Sequence, residues 1–516
     1  MSRSRCRGAI TARAARIVVA VMVLAATAFG FLDAGDAADS ISRVVASWQL
    51  FPAAERAFAS MAAGFGAGGF IGCVAALTTI VFSALLGRWY CAALCPLGTL
   101  QDLVSLLRGK NRAYRGPNRP ARAIAFVAAL CLVAVGATGL ASWIDPWSLF
   151  GKFFTYDLRP LVQLARREDI PGLSAATVIA SGVALAAVLS SSFLSGRWFC
   201  GNLCPIGGAL GVLNRFAPLR IRLEPNACLS CGACASVCRA SCVDAAVKRL
   251  DATRCINCLA CIGACPTRAL YYGPIRRVPA RSASGLSRGQ FIAALGGGIA
   301  AVALAALPGR AYAARAIGSP ADGRWRAALK PVTPPGSRSL ERFLGACLAC
   351  GLCVDRCPSK VLQPALGQLG VRGFMAPRLD HAISYCQFDC TACLDVCPSG
   401  ALDKLSLAKK RLTKIGDATL VKDRCIVFTN RTKCGACAEH CPTGAVRMAV
   451  GDTGLPEPGF TSSICIGCGA CHHACPVRPD RAISVSGLLV HAVADSPSPD
   501  LFDTSPKSAA SNAFPF

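Results

Sequence analysis

The sequence is poor in charged residues, which make up only 16% of its 516 residues. Together with a mean hydropathy of +0.46, this low fraction is typical of a chain with membrane spans. Acidic residues are especially scarce, since 28 Asp and Glu stand against 55 Lys and Arg, for a formal net charge of +27. Basic cytoplasmic loops account for that charge. No aromatic-interleaved basic platform or zinc-finger pattern accompanies it, so we predict no nucleic-acid binding.

Histidine is also scarce, and its distribution excludes one class of redox cofactor. All five histidines lie after residue 380. A b-type haem in a membrane domain needs paired axial histidines, so we predict none in the apolar first half of the chain. The motif "CGACH" at residues 468–472 matches a c-type haem attachment site. Its two cysteines belong to a regular cysteine run, so we predict no haem there either.

Four apolar stretches are long enough to form membrane helices. They cover residues 17–32, 66–86, 121–143 and 173–194. The first could also be a secretory signal, although it lacks a convincing cleavage site. Basic residues concentrate in the N-terminal arm and after the second stretch, so the positive-inside rule places the N-terminus in the cytoplasm. We therefore predict an α-helical membrane domain of four spans over residues 1–220, in the cytoplasmic (inner) membrane of a bacterium.

Cysteine is abundant, and its spacing is that of iron–sulfur cluster ligands. The 32 cysteines recur too regularly for the scattered disulfides of a small secreted protein. The run "CINCLACIGACP" at residues 255–266 matches the bacterial C-x2-C-x2-C-x3-C-P pattern, whose fourth thiolate binds the neighbouring [4Fe-4S] cluster. Zinc sites instead combine pairs of C-x2-C knuckles, so a zinc interpretation fits poorly.

A second run precedes this one and departs from the pattern at two points. Arg239 stands where the proline is expected, and Cys242 offers a competing ligand. Crossed ligation predicts two clusters in a cytoplasmic α+β ferredoxin-like domain over residues 221–275. One cluster is predicted to be held by Cys228, Cys231, Cys234 and Cys265, and the other by Cys255, Cys258, Cys261 and Cys238.

Four further runs define a second ferredoxin-type domain over residues 346–490. Its predicted ligands are Cys347, Cys350, Cys353 and Cys357; Cys386, Cys390, Cys393 and Cys397; Cys425, Cys434, Cys437 and Cys441; and Cys465, Cys468, Cys471 and Cys475. The outer two runs are regular, and the inner two have a lengthened first gap. This favours pairing of the first run with the fourth and of the second with the third, with sequential pairing left open. Either pairing gives four clusters here and about six in the chain.

The segment between the two cysteine-rich domains has features of an export signal. Residues 276–315 combine a basic flank, a glycine-containing apolar core and the pattern Ala311-Tyr312-Ala313. A twin-arginine motif is matched except at Gly289. An export signal or a fifth span would place the C-terminal region in the periplasm, whereas a cytoplasmic interfacial hairpin would keep it inside. A Pro-rich linker at residues 316–345 follows, and residues 491–516 are predicted to be a disordered tail.

One cysteine box occurs twice, each time directly after an apolar stretch. "GRWYCAALCPLG" at residues 87–98 returns as "GRWFCGNLCPIG" at residues 196–207. The repeat predicts a redox or metal site at one membrane face, formed by Cys91, Cys95, Cys200 and Cys204. Arg88 and Arg197 would favour the thiolate form there. A bound metal, a cluster and disulfide cycling all stay open, as does a purely structural role for buried thiols.

With these motifs the chain resembles two ferredoxin-type families joined end to end. Residues up to about 275 resemble NapH and MauN in their spans, boxes and two-cluster domain. Residues from about 285 to 485 resemble NapG and MauM in the export signal and in the segments "PPGSRSLERFLGACLACGLC" and "YCQFDCTACLDVCPSGAL".

The resemblance implies a membrane-bound polyferredoxin that relays electrons from the quinol pool to a periplasmic redox partner, a cytochrome or a reductase. Its cofactors would be [4Fe-4S] clusters and quinone. Any enzymatic activity would be that of a quinol dehydrogenase, and no catalytic residue is predicted. The alternative is an accessory or maturation factor that supplies electrons for the assembly of a periplasmic cofactor enzyme.

Overall fold

The computed structural model describes residues 3–33, 36–54, 56, 67–107, 114, 116, 118–166, 174–274, 330–451 and 454–496. The predicted export signal or fifth span, with Gly289, lies outside these residues, as does most of the predicted tail. The described residues form a helical domain up to residue 216, an amino-terminal module over residues 220–273 and a carboxy-terminal module over residues 330–496.

The helical domain contains long apolar helices and short helices that connect them. They are α1 (Arg3–Leu32), α2 (Asp36–Ser47), α3 (Ala67–Leu86), α4 (Trp89–Ala93), α5 (Pro96–Leu107), α6 (Arg119–Ala134), α7 (Thr138–Ala141), α8 (Pro146–Phe153), α9 (Arg159–Arg166), α10 (Ala175–Ser195), α11 (Trp198–Asn202) and α12 (Pro205–Phe216). A π-helical turn, Phe154–Leu158, joins α8 to α9.

Two of the four predicted spans are helices long and apolar enough to cross a membrane. These are Thr11–Leu32 in α1 and Ala175–Ser195, the whole of α10. The other two predicted spans correspond to shorter apolar stretches, Cys73–Leu86 in α3 and Pro120–Ala134 in α6. A four-span domain is therefore not confirmed.

The third predicted span is interrupted because the chain turns within it. Helix α6 ends at Ala134, and Gly136 follows with φ of +68°, a left-handed conformation that cannot continue a right-handed helix. The apolar run continues through this break into α7, so composition alone gave no sign of it.

The amino-terminal module is a small α+β unit, as predicted. Strand β1 (Arg220–Leu223) pairs antiparallel with β4 (Leu270–Gly273), and β2 (Val243–Asp244) pairs with β3 (Arg249–Leu250). Helices α13 (Ala233–Ser236) and α14 (Ala260–Ala264) each begin within a cysteine run.

The carboxy-terminal module combines short helices with two-stranded antiparallel sheets. Its helices are α15 (Leu340–Ala346), α16 (Leu352–Asp355), α17 (Ala392–Asp395), α18 (Leu407–Arg411), α19 (Ile426–Thr429), α20 (Ala436–Glu439) and α21 (Ala470–Ala474). Its strands are β5 (Leu362–Pro364), β6 (Pro377–Leu379), β7 (Thr413–Leu420), β8 (Val446–Val450), β9 (Pro456–Phe460) and β10 (Ile483–Val493). The pairs are β5 with β6, β7 with β10 and β8 with β9.

This module extends beyond both predicted limits. The Gly487 N–H donates to the Lys330 carbonyl at 2.8 Å, and the Leu379 N–H donates to the Val332 carbonyl at 2.9 Å. Part of the predicted Pro-rich linker is therefore folded into the module. Strand β10 continues to Val493, into the segment predicted to be disordered.

Helix α1 contacts different units at its middle and near its end. At its middle, the Arg16 guanidinium donates to the Ala92 carbonyl of the first box at 2.9 Å. Near its end, the Gly30 carbonyl accepts a hydrogen bond from Arg356 of the carboxy-terminal module at 3.0 Å. With a rise of 1.5 Å per residue, these two contacts are about 21 Å apart along the helix.

Helix α10 starts on the side of the carboxy-terminal module and ends on the side of the amino-terminal module. Near its start, the Ser181 hydroxyl donates to Asp157 in the π-helical turn at 2.6 Å, and this turn packs against the carboxy-terminal module. Just beyond its end, the Arg197 N–H donates to the Arg239 carbonyl of the amino-terminal module at 2.8 Å. The two modules therefore lie towards opposite ends of α10, and the carboxy-terminal module lies at the end of α1.

Candidate iron–sulfur sites

Four cavities of similar size lie inside the two modules, and each is lined by predicted ligand cysteines. The cavity in the amino-terminal module has an empty volume of about 290 Å³. Those in the carboxy-terminal module have about 340, 350 and 350 Å³. Each combines three cysteines of one run with the last cysteine of another, which is the crossed arrangement of two-cluster ferredoxins.

Six groups of four cysteines follow from these cavities and from the thiols that lie within electrostatic range of one another. We number them in their spatial order. Site 1 comprises Cys228, Cys234 and Cys265, with the exposed Cys231 assigned to it by its place in the run; site 2 Cys255, Cys258, Cys261 and Cys238; site 3 Cys347, Cys350, Cys353 and Cys397; site 4 Cys386, Cys390, Cys393 and Cys357; site 5 Cys465, Cys468, Cys471 and Cys441; and site 6 Cys425, Cys434, Cys437 and Cys475. The cavity of site 2 contains its four predicted cysteines, and site 1 brings together three of its four.

Pairing in the carboxy-terminal module is sequential, so the predicted pairing of first with fourth and second with third run is wrong. Cys397 of the second run lines site 3, and Cys357 of the first run lines site 4. The lengthened gaps that favoured the other pairing are accommodated by structure within each run. Lys410 donates to the Phe388 carbonyl at 2.9 Å inside the lengthened gap of the second run. The long gap of the third run folds into α19.

Site 2 has a fifth cysteine in its wall. Cys242 lines the cavity together with the four predicted ligands, and its Sγ lies 3.5 Å from the Sγ of Cys238. The competition foreseen from the sequence is therefore present in the structure. Cys242 and Cys238 are both buried.

The regular runs share a strained backbone that wraps each cavity. In the run of site 1, Ser230 and Gly232 have φ of +56° and +76°, and in the run of site 2, Asn257 and Leu259 have φ of +52° and +61°. Side chains with a Cβ rarely adopt this left-handed conformation, and it concentrates at functional sites. In site 3 the same turn directs the Ala349 N–H to the Cys347 Sγ at 3.4 Å. Such N–H groups stabilise negative charge on sulfur.

The thiols fit a cluster better than a single metal ion or disulfides. Every described cysteine is free. Within the described ranges, no three His, Cys, Asp or Glu side chains converge closely enough to hold one metal ion. Four thiols around a cavity instead suit a body with several iron atoms. Burial raises the pKa of Cys350 and of Cys468 to about 12, so both are thiols at neutral pH unless a bound metal stabilises the thiolate.

The two boxes have the same local structure. A glycine with positive φ, +81° at Gly87 and +68° at Gly196, ends the preceding apolar region. A five-residue helix, α4 or α11, follows, and then a proline begins α5 or α12. The Gly98 N–H lies 3.4 Å from the Cys95 Sγ, and in the second box the Gly207 N–H lies 3.3 Å from the Cys204 Sγ.

The boxes also interlock with approximate two-fold symmetry. The guanidinium of Arg88 donates to the Cys200 carbonyl at 3.2 Å, and that of Arg197 donates to the Cys91 carbonyl. Both arginines are almost fully buried, at 1% and 2% exposure. The two boxes therefore face each other, and each arginine bridges one box to the other.

The box thiols are buried together at the centre of this pair. Their exposed fractions are 6% for Cys91 and 5% for Cys95, Cys200 and Cys204. Burial raises the pKa of Cys200 to about 11, although Arg197 and Arg88 act in the opposite direction. The predicted preference for thiolate is therefore outweighed by burial when no metal is present.

Comparisons with known proteins agree with this arrangement of sites. Matches to a "4Fe-4S binding domain" cover residues 69–114 and 177–224, which contain the boxes, and another covers residues 249–271. Matches to a "4Fe-4S dicluster domain" cover residues 346–402 and 424–478. These two divide the carboxy-terminal module into sites 3 and 4 and sites 5 and 6, as sequential pairing does.

Individual curated relatives show the family to which the chain belongs. It is 31% identical over 170 residues to the ferredoxin-type protein NapF of Escherichia coli (strain K12), a match that covers 33% of this chain and 93% of NapF. The chain belongs to the ferredoxin-type [4Fe-4S] proteins. This ferredoxin-type protein is also 33% identical over 159 residues to the methylamine utilization ferredoxin-type protein MauM of Methylorubrum extorquens, covering 29% of the chain and 70% of MauM.

MauN of Paracoccus denitrificans, a further methylamine utilization ferredoxin-type protein, is 28% identical over 169 residues, which are 32% of this chain and 53% of MauN. Each of these matches covers about a third of this chain, so the comparisons do not show the predicted fusion of two families. No solved structure matches this chain.

In this ferredoxin-type protein, site 2 is joined to the boxes by a buried ion-pair group. Asp102 of α5 accepts from Arg197 at 2.8 Å and also pairs with Arg239. Arg239 is the residue that replaces the expected proline, so this departure has a docking role. Ile256, Cys258 and Ala260 of site 2 pack in one core with the box cysteines.

Helix α8 separates the boxes from site 3. Its Leu149 packs in the core of the box cysteines, while the adjacent Phe150 packs with Cys350 of site 3. The Thr138 hydroxyl, at the start of α7, donates to the Cys347 carbonyl at 2.9 Å. Site 3 is therefore one helix away from the boxes.

The other carboxy-terminal sites follow from site 3 in order. Cys353 of site 3 lies within electrostatic range of Cys393 of site 4. The Cys386 N–H of site 4 donates to the Cys468 carbonyl of site 5 at 3.0 Å. Cys471 of site 5 in turn lies within range of Cys437 of site 6. Sites 1 and 2 are within electrostatic range of each other through Cys234 and Cys261. The six sites thus follow one another as neighbours, in an order that we call the line of sites, with the boxes between sites 2 and 3.

The histidines beside the cluster cysteines make backbone contacts, as expected for residues that do not bind metal. His472 Nδ1 lies 2.6 Å from the Ile483 carbonyl, and the exposed His440 has its Nδ1 2.9 Å from the Ala436 carbonyl. Sequence reasoning gave His381 no role, yet it is 7% exposed and its ring lies 6.1 Å from that of His472.

The buried His381 predicts a loss of stability in mild acid. Burial lowers its pKa to about 3, and His472 and Arg378 act in the same direction. The unfolded imidazole has a pKa of about 6.5, so the unfolded state binds the proton first as the pH falls. Stability should therefore decline from about pH 6.5 downward, and His381→Gln should flatten that decline in denaturant unfolding of the carboxy-terminal module.

The exposed His440 provides the control for this prediction. His440→Gln should leave the slope of stability against pH as in the wild type. A slope in His381→Gln equal to that of the wild type would contradict the prediction. His491, whose pKa burial lowers to about 4, should account for part of the slope that persists.

Proposed function

We propose that the chain is a membrane-bound polyferredoxin that relays electrons from quinol through six [4Fe-4S] clusters to a redox partner on the periplasmic side. The observation that carries this proposal is the single line of sites, which continues through the helical domain. Tunnelling rates fall steeply with distance, so a chain of closely packed sites favours transfer along it. A store of independent clusters would need no such order.

A membrane position between the two modules is supported by the helices that connect them. Large hydrophobic side chains on four helices are exposed, among them Met22 at 65%, Leu77 at 62%, Ile124 at 68% and Val183 at 62%. Soluble proteins rarely expose so much apolar surface, whereas lipid accommodates it. The candidate spans α1 and α10 each lead from one module to the other, which supports modules on opposite sides.

Residues of this chain enclose each site and hold the two modules against the helical domain, as electron transfer between clusters requires. A [4Fe-4S] cluster, when bound, accepts and donates one electron at a time. The crossed cysteines would hold it, and the apolar walls around them exclude water. Asp102 and Arg239 fix site 2 against the boxes, and Phe150 and Gly151 fix site 3 against α8. A Cβ on Gly151 would lie 2.8 Å from the Cys350 carbonyl, so only glycine allows this approach.

A second candidate function is electron supply for the assembly of a periplasmic cofactor enzyme. The similarity to MauM and MauN, whose names refer to methylamine utilization, favours this candidate. Both candidates use the same line of sites, and they differ in the electron donor and in the final acceptor.

Anaerobic purification followed by iron and sulfide analysis and quinol titration under EPR tests the proposal. We expect about 24 iron atoms per chain, four for each cluster, and reduction of the clusters by quinol. Cys91→Ser and Cys200→Ser should keep all six signals and lose quinol reduction. The matched control is Cys131→Ser, since this exposed cysteine lies outside every site.

The outcomes separate the candidates. Iron-free protein would overturn both. Clusters that quinol does not reduce would favour the assembly function. Undiminished quinol reduction in Cys91→Ser and Cys200→Ser would make the boxes structural.

A further inference from the structure

Tyr156 belongs to the helical domain by sequence and to the carboxy-terminal module by packing. It is 1% exposed and lies in one core with Ala349, Val354 and Cys357 of that module. It stands in the middle of the π-helical turn Phe154–Leu158. Such turns insert an extra residue into a helix and are frequent at functional sites. Here the turn brings an aromatic side chain across the interface.

The hydroxyl of Tyr156 is buried without a hydrogen-bond partner in the described part of the chain. An unsatisfied buried hydroxyl costs about 1–3 kcal/mol, so it calls for an acceptor that only the assembled protein contains. Thiols of site 3 lie within electrostatic range of it, Cys353 and Cys350 first among them, and Cys353 packs against the same core as Tyr156. A sulfur atom of a cluster in site 3 is therefore the acceptor that the position of this hydroxyl favours.

A second buried polar group from the helical domain lies on the same side of site 3. Lys152 of α8 has 0% exposure, and its Nζ donates to the Ser142 hydroxyl. The Nζ also lies 4.5 Å from the ring centroid of Trp143. Asp145, and after it Cys350 and Cys347 of site 3, lie within its electrostatic range. A buried amine needs negative charge nearby, which Asp145 and a cluster with its thiolates would provide together.

We propose that Tyr156 and Lys152 set the reduction potential of site 3: the hydroxyl donates a hydrogen bond to a cluster sulfur and the ammonium group lies beside the cluster. Reduction adds one electron and no proton, so both groups stabilise the reduced cluster and raise its potential. Both residues come from the helical domain. Site 3 therefore accepts electrons readily only while the carboxy-terminal module is docked on that domain. This inference rests on the proposed function, because it requires a cluster at site 3.

EPR-monitored redox titration of the full chain, purified anaerobically, tests the inference. The site 3 signal is identified as the one that Cys350→Ala removes. Tyr156→Phe keeps the ring and should lower the reduction potential of this signal by about 59 mV. For one electron, this shift is a tenfold change in the ratio of reduced to oxidised cluster. Lys152→Gln should lower it in the same direction, and the double variant should lower it further.

Two matched variants serve as controls. Tyr272→Phe removes a hydroxyl that already donates to the Leu86 carbonyl at 3.0 Å, and it should leave the site 3 potential unchanged. Lys404→Gln removes an exposed amine of the carboxy-terminal module, with the same expectation. Asp355→Ala breaks the buried ion pair with Arg159 at the docking interface. It should lower the site 3 potential, and Tyr156→Phe should then have no further effect.

A site 3 potential unchanged in both Tyr156→Phe and Lys152→Gln, with all six signals present, would overturn this inference and leave the relay intact. An equal shift of all six signals would also overturn it, since the effect would not be specific to site 3. Absence of cluster signals in the wild type would instead overturn the proposed function.

Discussion

Cys350→Ala is expected to abolish electron transfer from the boxes to the carboxy-terminal module. Cys350 lines site 3, which packs directly against α8 of the helical domain. Without this site the relay has a gap between the boxes and site 4. After quinol is added, sites 1 and 2 should become reduced while sites 4, 5 and 6 stay oxidised. Rapid-freeze EPR measures each signal.

Two comparisons make this result specific. Dithionite should still reduce sites 4, 5 and 6 in Cys350→Ala, which shows that their clusters are intact. Cys475→Ala removes site 6, at the far end of the line, and should leave the reduction of sites 3, 4 and 5 by quinol unchanged. Normal reduction of site 4 in Cys350→Ala would mean that electrons enter the module elsewhere.

Asp102→Ala is expected to release the amino-terminal module from the boxes. The carboxylate pairs with Arg197 and Arg239, whose side chains are only 1% and 14% exposed. Although burial alone would raise the pKa of Asp102, the two arginines hold it below its usual value. Removing one partner of a buried ion pair costs about 3–5 kcal/mol. The unfolding midpoint of the amino-terminal module in detergent should fall accordingly.

The matched control is a surface ion pair of the other module. Asp389 pairs with Arg411 and its side chain is 62% exposed, so Asp389→Ala should change stability by less than about 1 kcal/mol. If Asp102→Ala were no more destabilising than Asp389→Ala, the docking role of Asp102 would be refuted. Reduction of site 2 by quinol should also be slower in Asp102→Ala, because the contact with Arg197 is lost.

Local spacing predicted the four cysteines that line site 2 because crossed ligation is a property of the run itself. The cavity of site 2 contains Cys238 with the three cysteines of the following run, as expected. The spacing of the cysteines could not predict how the four carboxy-terminal runs pair. It depends on which runs pack together, and the irregular gaps reflect local features such as the contact of Lys410 with the Phe388 carbonyl.

Residues that act across domains could not be predicted from motifs. Arg239 and Asp102 are 137 positions apart, so the missing proline looked like a defect in the run. Tyr156 occurs in an ordinary apolar segment, and only the π-helical turn places it in the other module. The third span was overestimated for a similar reason, since composition does not record the turn at Gly136.

Cryo-electron microscopy of the anaerobically purified full chain in a lipid nanodisc tests the line of six clusters most directly. We expect six compact metal densities, two in the amino-terminal module and four in the carboxy-terminal one, with Cys397 bound at site 3 and Cys357 at site 4. The two modules should lie on opposite faces of the disc. A cluster shared by the first and fourth carboxy-terminal runs, or both modules on one face, would contradict the relay.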